Sequence, residues 1–250
     1  MAQLFPPYAN TIATASLFVA AGVPFVLLVG GTQVTSSPAN TKVDNPLDQP
    51  VPFSHKHHNR ELGIDCRFCH SNVEDNAQAS VPSTEVCMTC HSQIWTNSPM
   101  LDPVRQSWET GTPIQWNKVN SVPDFVYFDH GMHITRGVNC NTCHGPVQDM
   151  PITWKGQAFR MSWCLDCHRN PEKFLVEPVG GDKKTPKEQV FMLYRKVAEG
   201  RPLNEAEQAL AEGLPSQIPQ DDTHLELGKK LVKDRKINVQ QLSDCYICHH

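Results

Sequence analysis

The sequence predicts short α-helices and irregular loops wrapped around covalently attached prosthetic groups, preceded by one N-terminal transmembrane helix. Three observations predict this. Only 39% of the 250 residues are hydrophobic and 8% aromatic, with 20 prolines, which leaves too little apolar side chain for the core of a domain this long. Ten cysteines and twelve histidines stand out against that composition, and the N-terminal stretch is both apolar and free of charge. The overall charge, 22 Lys+Arg against 26 Asp+Glu, is −4 and excludes a nucleic-acid partner held through phosphate contacts.

Every cysteine belongs to a Cys-x-x-Cys pair followed at once by histidine: Cys66, Cys69 and His70; Cys87, Cys90 and His91; Cys140, Cys143 and His144; Cys164, Cys167 and His168; Cys245, Cys248 and His249. This is the attachment site of a c-type haem. The two sulfurs add to the porphyrin vinyl groups, and the next histidine lies under the ring as the proximal iron ligand. Zinc ribbons take such pairs two at a time and would strand one of five, and neither zinc nor disulfides require histidine at one offset five times. The expectation is five covalently bound haem c groups, whose faces supply much of the missing core.

Covalent haem is attached outside the bacterial cytoplasmic membrane, so the chain must be exported. No charged residue occurs from Met1 to Thr41, and Ile12 to Gly31 is a mostly apolar run of 20 residues, enough for about 30 Å of helix. A basic n-region and a clear small-x-small site after Leu28 are both missing, which favours a retained anchor over a cleaved signal peptide. Residues 1–35 are read as this anchor, kinked at Pro24. The small residues Ala13, Ala15, Ala20, Ala21 and Gly22 suit it to another helix. Residues 36–50 form a polar linker, and residues 51–250 a periplasmic haem domain.

That domain opens on an internal duplication. Phe53-Ser54-His55-x-x-His58 precedes Gly63-Ile64-Asp65-Cys66, and Phe128-Asp129-His130-x-x-His133 precedes Gly137-Val138-Asn139-Cys140. The repeat units run over about 51–112 and 124–175; a charged helical segment and the fifth motif occupy 176–250. Pro113 to Phe128 mixes apolar and turn residues and reads as an irregular hairpin. Helical patterns cover Glu188 to Ala198, Asn204 to Glu212 and Thr223 to Lys233, with charges that read as a solvated or subunit-facing surface.

Five proximal histidines leave His55, His57, His58, His130, His133, His224 and His250. His250 abuts proximal His249 and cannot easily reach the opposite face of the same ring. His55, His58, His130 and His133 recur at matching places in both repeats and are the expected distal ligands. Six-coordinate iron has no open position and suits electron transfer rather than substrate binding.

The two-histidine, two-haem pattern resembles the small multihaem cytochromes of the c3 and c7 type. The resemblance implies that His55 serves the haem of His70, His58 that of His91, His130 that of His144 and His133 that of His168. It also implies Met161, three residues before Cys164, as distal ligand of the fifth haem, with His57 and His224 as alternatives. Phe53 to His58, Gly63 to Cys66, Val86-Cys87-Met88-Thr89-Cys90-His91-Ser92-Gln93, Pro123 to Phe128 and Trp163-Cys164-Leu165-Asp166-Cys167-His168-Arg169-Asn170-Pro171, with the anchor, together resemble the pentahaem cytochrome c subunit of bacterial alternative complex III.

That resemblance implies an electron-transfer subunit, not an enzyme alone, in a quinol-oxidising respiratory or photosynthetic complex. Its partners would be integral membrane quinol-binding subunits, an iron-sulfur subunit, and a monohaem cytochrome c or another periplasmic acceptor. Two rival classes stand beside it. A membrane-anchored quinol dehydrogenase of the tetrahaem family lacks this duplicated signature, and a multihaem reductase would need an open iron, for which only the fifth haem qualifies.

Overall fold

The structure, a computed structural model, describes residues 5–181 and 183–249. His250, set aside above as a ligand, lies outside the described residues, as do Met1 to Leu4 and Asp182. The chain divides into two units, Met1–Val43 and Asp44–His250.

The first unit is α1 (Ala9–Ser36), continued by the single turn α2 (Pro38–Thr41). At 28 residues and a mean hydropathy of 2.3, α1 is long and apolar enough to cross a membrane, and its apolar side chains stand exposed. The helix runs unbroken through Pro24.

Among the described residues the second unit contains helices and loops but no strand, only the isolated bridges Pro46↔Trp154 and Val126↔His249. The expected hairpin over Pro113 to Phe128 does not form. Pro113 and Pro123 cannot donate to a ladder, and the segment pairs elsewhere: the Asn117 amide donates to Gln49, and the Tyr127 amide to the Cys248 carbonyl.

Each cysteine motif lies in a short helix: α3 (Cys66–Cys69), α4 (Thr84–His91), then, beyond α5 (Asp102–Thr110) and α6 (His130–Thr135), α7 (Cys140–His144) and α8 (Met161–Arg169). The repeated Gly-x-Asp/Asn-Cys residues explain two of these starts. Gly63 and Gly137 hold left-handed φ values of 68° and 76°, which glycine adopts without steric cost. Asp65 and Asn139 then cap the helices, their side chains accepting from the Arg67 and Asn141 amides.

The charged segment forms helices where expected: α9 (Pro186–Ala198), α10 (Glu205–Ala211) and α11 (Asp222–Asp234), followed by α12 (Val239–Leu242) and α13 (Cys245–Cys248). Capping boxes at Thr185/Glu188 and Asn204/Glu207 start the first two. The segment is not, however, merely surface. Leu193, Val197, Ala209, Leu210 and Ile218 form the largest apolar cluster, while Val190 and Phe191 pack with Val73 and Ile134 from the two repeats. The helices are amphipathic, so charge count alone concealed their inner faces. Even their charges enter the core, where Lys196 and Glu207 form a buried ion pair. Gly228 lets α11 pack against the Glu172 backbone, where a Cβ would collide with the carbonyl oxygen.

Candidate haem-binding site

The phenylalanine of each Phe-x-His-x-x-His copy has a defined place. The Phe53 ring stacks on His58 at 4.5 Å and meets His55 edge-on at 5.0 Å; Phe128 stacks on His133 and meets His130 edge-on, both at 4.7 Å. The second histidine of each pair donates from Nδ1 to the carbonyl four residues before it, His58 to Ser54 at 2.8 Å and His133 to Asp129 at 2.7 Å.

The first histidines are held across the duplication. His130 Nδ1 donates to the Ala77 carbonyl of the first repeat at 2.8 Å, and His55 Nδ1 lies 3.1 Å from the Thr153 hydroxyl of the second. The Gly131 amide likewise donates to Asn76 and the Lys56 amide to Met150. The repeats therefore interlock reciprocally, each orienting the other's leading histidine.

Three histidine pairs bring motif and repeat together. His130 and His144 are 6.1 Å apart between ring centres and inclined by 6°; His133 and His168 are 6.2 Å apart, and His58 and His91 6.3 Å. His55 lies within electrostatic reach of His70. Two imidazoles on opposite sides of one metal, with bonds of about 2.0–2.1 Å, place their ring centres roughly 6 Å apart. The histidine rings of the cysteine motifs are oriented like the others, His70 Nδ1 donating to the Ser80 carbonyl at 2.6 Å, His168 to Leu242 at 3.0 Å and His91 to Ile94 at 3.3 Å. A carbonyl acceptor on Nδ1 fixes the tautomer whose Nε2 lone pair is free for a metal.

Burial favours the neutral imidazole that ligation requires. It is the main cause that lowers His55 and His144 to about 4, with neighbouring histidines adding to it, and it also lowers His58 and His133. The same burial raises the thiols of Cys66, Cys140 and Cys143, and pushes Cys167 up to about 12. A reactive redox dithiol needs the opposite shift. No group of three or more His, Cys, Asp or Glu side chains gathers as a direct metal site among the described residues. The residues of the first four motifs thus fit planar groups carrying their own metal, each held by one thiol pair and two imidazoles, and such groups would cover exposed apolar side chains such as Phe68 and Ile94.

The fifth motif is built differently. Its α13 joins Pro123 to Phe128, with Val126 bridged to His249 and the Phe125 ring stacked 5.9 Å from the His249 ring. Met161 is exposed at the first position of α8. His57 is exposed, bonded through Nδ1 to Glu61 at 2.9 Å and stacked on Trp95. His224 is buried in α11, and its Nε2 has no hydrogen-bond partner among the described residues.

Sequence reasoning did not assign the two phenylalanines, although their recurrence at one offset was the available signal. The carbonyl partners of Nδ1 have no sequence signal, since any residue supplies a carbonyl.

A chain without strands among its described residues, pairing cysteine-motif histidines with distant histidines at metal-bridging separation, is a multihaem c-type cytochrome. Residues 31–108 match the class III cytochrome c family. The menaquinone reductase multiheme cytochrome c subunit of Nitratidesulfovibrio vulgaris is 33% identical over 144 residues, covering 49% of this chain and 69% of that relative. The chain belongs to the class III cytochrome c family, whose members carry covalently bound haem c.

Proposed function

We propose that the chain is the electron-relay subunit of a membrane complex that oxidises quinol, of the alternative complex III type, and carries five haems attached at its five motifs. The observation that carries this reading is the set of matched histidine pairs with ring centres 6.1–6.3 Å apart. In it His70, His91, His144, His168 and His249 are proximal ligands, and His55, His58, His130 and His133 are distal ligands on the first four irons. The haem irons supply one-electron redox chemistry. The protein's part is to hold the rings, keep the imidazoles neutral and deny substrates access to those irons. For the fifth iron, Met161 remains the proposed ligand, with His57 and His224 as alternatives.

In this reading α1 is a retained anchor that puts the haem domain on the periplasmic side and brings the chain beside quinol-binding membrane subunits, an iron-sulfur subunit and a cytochrome c acceptor. A second reading, favoured by the name of the Nitratidesulfovibrio relative, keeps the relay and reverses the flow, so that electrons reach menaquinone.

Purification in mild detergent tests both. The chain is expected to bring other membrane subunits with it, and its haems to be reduced by a menaquinol analogue only in their company. Recovery as a solitary, salt-washable protein would reject the anchor and the complex. Oxidation of pre-reduced haems by menaquinone, without reduction by the quinol, would select the second reading.

A further inference from the structure

The junctions between motifs fix an order that the sequence does not state. At the first junction, Phe53 touches both His55 and His58, the histidines paired with the Cys66 and Cys87 motifs. Cys69 and Cys87 lie within electrostatic reach of one another. At the second, Cys66 and Cys140 pack against one apolar cluster of Val73, Ile134, Val190 and Phe191. The reciprocal contacts of His55 with Thr153 and His130 with Ala77 lock the same junction.

The third junction runs through aromatic rings. His144 meets Phe159 at 6.1 Å, and Phe159 meets Trp163, the residue before Cys164, at 5.8 Å. Phe128 bridges His130 and His133, which serve these two motifs. At the fourth, α8 packs against α12, His168 donates to Leu242, and Cys164 lies within electrostatic reach of Cys248.

We infer that the haems stand in single file in the order of the Cys87, Cys66, Cys140, Cys164 and Cys245 motifs, so that electrons enter and leave at the second and fifth motifs of the sequence. This rests on the five-haem reading. The duplication explains the reversal at one end. Because each repeat orients the other's leading histidine, the two leading motifs meet at the centre and the trailing motifs, Cys87 and Cys164, point outward. The fifth motif then extends one side only. No cysteine of the three interior motifs is exposed, whereas Cys90 at one end and Cys245 at the other are. An electron arriving at one end must pass the three interior haems to reach the other.

Electron cryomicroscopy of the full haem-loaded chain, purified in detergent with whatever accompanies it, reads the iron positions, and a pyridine haemochrome assay of the same sample counts the haems. The expected result is three interior irons with two neighbours each and two terminal irons, at the Cys87 and Cys245 motifs, with one neighbour each. Five haems with the Cys87 iron nearest to the iron of the Cys140 or Cys164 motif, or with a branched arrangement, would overturn the order while leaving the relay reading intact. Fewer than five haems would overturn the five-haem reading and the length of the file.

Discussion

The third and second cysteine motifs share one spacing and sit in opposite surroundings. In α7 both intervening residues, Asn141 and Thr142, are buried, and Asn141 donates to Gln148 and to the Leu210 carbonyl while accepting from the Tyr194 hydroxyl. In α4 no residue is buried, Cys90 is exposed, and the Thr89 hydroxyl donates within its own turn, to the Val86 carbonyl and to Cys90 Sγ. A haem-attachment motif therefore specifies covalent chemistry and says little about environment. For α7 that environment comes from α9 and α10, which reach it through Tyr194 and the Leu210 carbonyl, and solvent exposure is one of the levers that set a haem's potential.

Removing whole haems breaks the comparison most severely. Replacing Cys140 and Cys143 together with serine should abolish accumulation of folded protein, because α7 is packed against both repeats and the added helices. The same change at Cys87 and Cys90 should leave a folded four-haem protein. Haem-stained gels and protease resistance check this, and equal survival of both variants would contradict it.

The ion pairs come next. Lys196→Met strands Glu207 in the core and should lower stability by about 3–5 kcal/mol, whereas Lys229→Met, at an exposed pair with Glu226, should not change it measurably. Denaturant melts followed by circular dichroism separate the two.

A finer contrast compares the residues between the cysteines. Asn141→Ala removes the buried side-chain amide that donates to Gln148 and to the Leu210 carbonyl and accepts from the Tyr194 hydroxyl, and should cost about 1–3 kcal/mol. Thr89→Ala should stay within about 0.5 kcal/mol. At the cap, Asp65→Ala removes the acceptor for the Arg67 amide and should cost about 1 kcal/mol.

Much of this architecture was legible in the sequence because it is local. The Cys-x-x-Cys-His motifs, the duplicated Phe-x-His-x-x-His, the long apolar helix and the amphipathic α9 to α11 all depend on spacing within one element. What was not legible depends on distant segments. The inner faces of α9 and α10 read as solvated charge because Lys196 and Glu207 meet only across two helices, and Pro113 to Phe128 read as a hairpin because its partners at Gln49 and Cys248 lie far along the chain. The reciprocal hold of His55 and His130 belongs to the same class. The duplication implied two equivalent units, and only their packing shows that each completes the other.

Electron paramagnetic resonance of the oxidised protein, parent against His130→Ala, tests the central claim that the repeat histidines close the irons. The parent should show at least four low-spin ferric haems, and the variant one fewer with a new high-spin signal from the haem of His144. His57→Ala, whose ring is bonded to Glu61 and stacked on Trp95, should leave the first four haems unchanged. An unchanged low-spin count in His130→Ala would remove His130 from the ligand set and contradict the account.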